Sequence, residues 1–105
     1  MAPDPALADR VRSLLADDQV RESSMFGGLA FLVAGHMTVA VGEDHLLLRV
    51  DPEAEWPTRD PRASEAMPGR PMRNWRSFDV AAEDEDLPAL VAHALEQVRA
   101  LPPKS

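Results

Sequence analysis

Between Val20 and Val50 the chain carries four short apolar-rich runs in succession, parted by turn signals. No other stretch restricts the fold as tightly. Val20 to Phe26 is followed by Gly27-Gly28, then by Leu29-Ala30-Phe31-Leu32-Val33-Ala34. Two apolar-rich runs joined by Gly-Gly predict a hairpin, since both glycines can take positive φ, with a β-bulge as the competing reading. Gly35-His36 predicts the next turn. In Met37-Thr38-Val39-Ala40-Val41 the alternation places Met37, Val39 and Val41 on one face. Gly42-Glu43-Asp44-His45 turns the chain again, and Leu46, Leu48 and Val50 then point one way while Leu47 and Arg49 point the other. Short connections make neighbouring strands antiparallel. The expected product is a meander with one strongly apolar face, which other elements must cover.

Helical patterns flank the meander. Asp4-Pro5 is a helix start, with Asp as the cap and Pro at the first helical position. Leu7, Val11, Leu14 and Leu15 recur at helical spacing, and the helix is expected to end near Asp17-Asp18. A second Asp-Pro start, Asp51-Pro52, predicts a helix of one or two turns that Pro57 stops. Thr58 to Glu65 is polar and predicts a loop; Ala66 to Pro71 is a second irregular segment. Met72 to Val80 predicts a fifth strand, with a bulge reconciling Met72, Trp75 and Phe78 to one buried face. Glu83-Asp84-Glu85-Asp86 precedes the last helix, where acids suit the helix dipole. Leu87, Leu90, Val91, Ala94, Leu95, Val98 and Leu101 form its apolar stripe, and Pro102-Pro103 ends it. The expected fold is α+β, a single domain over residues 1–105. It has two layers: an antiparallel sheet of about five strands, with an N-terminal and a C-terminal helix packed on it, in the order α-β4-(short α)-β-α.

Composition narrows the function classes. The 105 residues include no cysteine, so disulfides and thiolate metal sites are excluded. No run approaches the roughly 18 apolar residues of a membrane span, and the N-terminus lacks signal-peptide regions, so a cytoplasmic protein without membrane contact is expected. A net charge of -7 disfavours direct nucleic-acid binding, which needs Lys and Arg to neutralise phosphate. Ten of the eleven basic residues are Arg, a composition suggesting a high-GC bacterial genome.

No catalytic constellation stands out, and the chain is expected to be non-enzymatic, with no cofactor and no metal. His36 and His45 fall at opposite ends of the third strand, up to ~30 Å apart at the rise of a strand, too far to share a metal. His93 lies off the last helical stripe and is expected to face solvent. Ser23 and Ser24 lack a nucleophile-elbow context. Gly27-Gly28 matches no phosphate-binding loop. The four consecutive acids do not match a calcium-loop spacing. One cluster suits recognition: Arg70, Arg73 and Arg76 with Trp56 and Trp75. Arg beside Trp is a frequent anchor at protein interfaces, and it can also hold an anionic small ligand.

The ordered set of motifs carries a resemblance. Met25-Phe26-Gly27-Gly28, an apolar strand, Gly35-His36-Met37, and Leu46-Leu47-Leu48-Arg49-Val50 resemble the TfoX/Sxy N-terminal domain family. Gly69-Arg70-Pro71-Met72, Trp75 and Leu101-Pro102-Pro103-Lys104 resemble its small stand-alone members, which lack the family's C-terminal helical domain. The likeness covers nearly the whole chain, and Met25, Phe26, Gly27 and Gly28 are its most specific part. It implies an α+β domain with an antiparallel sheet. It also implies a link to regulators of natural competence, which are thought to work with the cyclic-AMP receptor protein. The expected function is a regulatory or adaptor domain acting through protein contacts, with transcription machinery as a partner and a homodimer as an assembly. The alternative is a small anionic ligand bound by the Arg70, Arg73 and Trp75 region.

Overall fold

The computed structural model describes residues 3–16, 20–25, 28–66, 69 and 72–102. The elements run α1 (Pro5–Leu14), β1 (Val20–Met25), β2 (Gly28–Val33), β3 (His36–Val41), β4 (Leu46–Arg49), α2 (Trp56–Arg59), β5 (Ala63–Glu65), β6 (Trp75–Phe78) and α3 (Leu87–Arg99). The strands form one antiparallel sheet in the order β1-β2-β3-β4-β6-β5. The first four strands are the meander expected from the apolar runs. The chain then passes to the far edge for β5 and returns to place β6 beside β4. The sheet thus has six strands where about five are expected. The extra one, β5, falls in the stretch expected to be a loop. It is three residues long, largely polar and has Pro61 two residues before it, so it has no alternation to detect.

Turn and bulge positions correct four further expectations. Val33 pairs with His36, so Ala34 and Gly35 form the β2–β3 turn, with φ of 53° and 84°. Positive φ at both central residues matches the twist of the flanking strands, and His36 begins β3 instead of closing the turn. At the first hairpin Met25 pairs with Gly28, which is the first residue of β2 and not a turn residue. The two residues between them, Phe26 and Gly27, lie outside the described residues. The bulge lies in β3 and not in β6: Phe31 pairs with Val39 and Leu32 with Met37, leaving Thr38 as the extra residue. That insertion switches the alternation. His36, Thr38, Val39 and Val41 are buried, and Met37 turns to the opposite face from Val39 and Val41. The buried Thr38 hydroxyl donates to the His36 carbonyl at 3.1 Å.

The helices start as capping chemistry dictates but stop elsewhere than expected. Asp4 caps α1 by accepting from the amides of Ala6 and Leu7. The helix ends at Leu14 with Leu15 as its C-cap; Asp17 and Asp18 lie outside the described residues. Asp51 does not start a helix; its carboxylate accepts the Glu53 amide in a turn. Pro57 falls in the first turn of α2 and starts the helix instead of stopping it, because a proline there loses no helical hydrogen bond. Leu101 lies beyond α3 and is 39% exposed, while the rest of its stripe is buried.

One side of the sheet meets the helices. Leu7 and Val11 of α1, its C-cap Leu15, and Leu87, Leu90, Val91, Ala94, Leu95 and Val98 of α3 join Phe31, Val39, Val41, Leu46, Leu48 and Phe78 in a single apolar core. Burial of each such side chain is worth about 1.5–3 kcal/mol. Polar ties fix the layers. Arg10 donates to the Ala82 carbonyl at 3.0 Å, and Arg12 makes a two-point bond to Glu22 of β1. Arg62 chelates Asp60 and reaches Asp84 and Asp86, so two of the four acids before α3 hold an arginine next to β5. No helix among the described residues is long and apolar enough to cross a membrane.

Candidate interaction surface

Trp56 and Trp75 belong to different sides of the sheet. Trp56 opens α2 and rests on the helical side: its ring centroid lies 6.0 Å from Phe78 and 4.8 Å from His93, edge-on to the imidazole. Trp56 as a whole remains 38% exposed. Trp75 lies three residues before Phe78 in β6, and strand alternation sends it to the opposite face. There it pairs with Arg49 across β4–β6, and the Arg49 guanidinium carbon lies 4.8 Å from the indole centroid.

The arginines divide likewise. Arg76 shares the helical side with Leu48 and donates to the Pro57 carbonyl at 3.2 Å, tying α2 to the sheet. Arg73 is well exposed, with its nearest carboxylate, Glu53, at 3.8 Å. Arg70 lies outside the described residues. Trp56, Arg76 and the Arg73–Glu53 pair therefore gather around α2, while Trp75 stands apart with Arg49. Of the four motif residues, Met25 and Gly28 close the β1–β2 ladder.

His93 is not solvent-facing. It is half-buried on α3, and its Nε2 accepts the Asp51 amide at 3.1 Å, which places the ring proton on Nδ1. Burial lowers its pKa from 6.5, against weaker opposing pulls from Glu96 and Asp51. It therefore works as a neutral wedge between the β4 exit and α2. His36 opens β3 and meets the Pro102 carbonyl through Nε2 at 2.6 Å, joining the end of α3 to the sheet. His45 lies in the turn past the other end of β3, beside Asp44. Among the described residues no three His, Asp or Glu side chains are grouped to hold a metal.

Arg49 is the residue that pattern reading passed over. Its place opposite Leu46, Leu48 and Val50 was legible from alternation, but the Trp75 partner depends on a pairing between strands far apart in sequence. The bulge at Thr38 gives Arg49 its second contact. The β3–β4 ladder runs only from Val39–Leu48 to Val41–Leu46, and the Met37 carbonyl beyond it accepts from Arg49 Nε at 2.8 Å. Held by that bond and stacked on Trp75, the guanidinium has no hydrogen bond from Nη1 or Nη2 to any described residue. No carboxylate among the described residues lies within ion-pair distance of it.

Compared with known families, residues 12–98 match the TfoX N-terminal domain. No curated protein and no solved structure matches the chain.

Proposed function

The chain belongs to the TfoX N-terminal domain family, and from that membership we propose that it is a non-enzymatic regulatory or adaptor domain acting through protein contacts. The finer reading is a role in transcription or competence control, exerted through a protein of the transcription machinery instead of by direct grip on DNA. The family match over residues 12–98 carries this reading. The net charge of -7 supports the indirect route, because a chain of that charge is repelled by a phosphate backbone. A second copy is the natural partner for the outer edge of β1, an end strand six residues long with no strand paired to its outer side among the described residues.

Affinity capture from the source cell's lysate tests the adaptor reading, with wild type beside Trp75→Ala and Arg73→Ala baits. The expected result is a transcription-related protein retained by wild type. Empty capture by a well-folded bait overturns the reading. Sedimentation at high concentration tests self-association: a dimer is expected, and a clean monomer removes that part.

A further inference from the structure

Alternation and register place one face of the sheet away from both long helices. Arg21 of β1 pairs with Leu32, and Leu32 pairs with Met37. Arg49, bonded to the Met37 carbonyl, pairs with Trp75. These side chains make one row straight across the sheet. The adjacent row holds Ala30, Ala40, Leu47 and Ser77. None of these residues belongs to the core cluster that α1 and α3 cover; Ala30 is fully buried within its own row, and the others are half-buried or exposed.

The face is apolar in the middle and positive at two points. Leu32, Met37 and Leu47 are half-buried there. Arg21 is exposed, and like Arg49 it has no ion-pair partner among the described residues. No Asp or Glu occupies the strand positions that point to this side; Glu22 and Glu65 pair with Phe31 and Arg76 on the other. On a chain of net charge -7 this face is the electrostatic exception.

We propose that the open sheet face docks an acidic, apolar-containing segment of a protein partner, with Arg49 and Arg21 receiving its carboxylates and Leu32, Met37 and Leu47 its apolar side chains. This rests on the adaptor reading above and gives it a surface and a chemistry. The two arginines stand three strand spacings apart, about 14 Å, with apolar residues between them. A chain carrying acids about four residues apart in extended form spans that distance, its apolar residues falling on Leu32 and Met37. The Arg49 guanidinium is already oriented by the Met37 carbonyl and the Trp75 ring, so a carboxylate meets a fixed two-point donor. Two cations around an apolar centre suit a peptide. A nucleic-acid backbone calls for more phosphate contacts than this face can offer.

Selection from a phage-displayed random peptide library on the full chain tests the proposal. Enrichment of peptides combining Asp or Glu with Leu, Ile or Phe is expected. The best peptide should shift the Met37 methyl resonance. It should bind Arg49→Gln about tenfold or more weakly and Arg21→Gln more weakly too, while Arg73→Gln binds as wild type. Leu32→Asp, which leaves the Arg49–Met37 bond untouched, repeats the loss if Arg49→Gln fails to fold. Enrichment of basic or neutral peptides, no enrichment, or binding indifferent to Arg49, Arg21 and Leu32 overturns the proposal. So does a single-stranded oligonucleotide that binds wild type through Arg49. A captured lysate partner indifferent to Arg49→Gln removes this surface and leaves the adaptor reading standing. Peptide binding with no lysate partner does the reverse.

Discussion

Ala34 sits at φ 53°, a left-handed conformation that its Cβ disfavours and that Asn tolerates better. Ala34→Asn is expected to raise stability by about 0.5–1 kcal/mol, and Ala34→Val to lower it, both read as shifts of the urea midpoint. His93 sets a pH dependence. Its pKa is lowered from 6.5 in the folded chain, so the unfolded chain binds the extra proton first as pH falls. The stability tied to neutral His93 is therefore complete above 6.5 and declines as pH drops below it. Glu22 and Asp60, held below their ordinary 4.5 and 3.8 chiefly by hydrogen bonds from Arg12 and Arg62, add losses only at lower pH. Wild-type Tm should fall between pH 7.5 and 5.5, and His93→Gln, whose amide oxygen can still accept the Asp51 amide, should fall less. Neither residue's role was legible from pattern. Ala34 looks like the end of a strand. His93 is off the stripe, and only the packing of Trp56 brings it under cover.

Elements with periodic burial were the legible ones. The stripes of α1 and α3 and the alternation of β4 are there in the order of apolar residues, because each presents one continuous face to the core. The signal fails where a single residue shifts the phase, as Thr38 does in β3, or where an element is too short and polar to have a phase, as in β5. What holds β5 near α3 is charge: Arg62 chelates Asp60 through Nε and Nη2 and spans to Asp84 at 3.2 Å. Asp60 and Asp84 are mostly covered, with side-chain exposures of 16% and 24%, so the network is less screened than a surface pair. Arg62→Lys cannot keep the two-point geometry and should cost about 1–2 kcal/mol in denaturant unfolding. Hydrogen exchange should rise first at β5. Asp4→Ala, which frees the amides of Ala6 and Leu7, should cost about 1 kcal/mol and loosen α1.

At the scale of the molecule, two-layer architecture and antiparallel order follow from a sheet with one face meant for burial. The proposed docking surface follows from the same rule read in reverse, since both long helices lie on one side of the sheet and no described helix packs on the other. Pattern reading expected Trp56, Trp75 and the arginines near them to form one surface. The sheet between the two indoles separates them, a fact only the β4–β6 register supplies. Phe78, fully buried between β4 and Trp56, is where layers and sheet edge meet. Phe78→Ala should cost about 3–5 kcal/mol, enough to remove much of a small domain's stability.

Chain order has a consequence for synthesis. The four-strand meander is complete at Arg49, but α3, which packs on β3 and β4, begins only at Leu87. A ribosome has therefore made Phe31, Val39, Val41, Leu46 and Leu48 well before the helix that shields them. During that interval α1 is the long helix on hand, and the nascent sheet shows the part of its apolar side that α3 will cover to whatever binds emerging chains. A fragment released after Val80 should precipitate or stay bound to a chaperone, and supplying the α3 segment in trans should restore solubility.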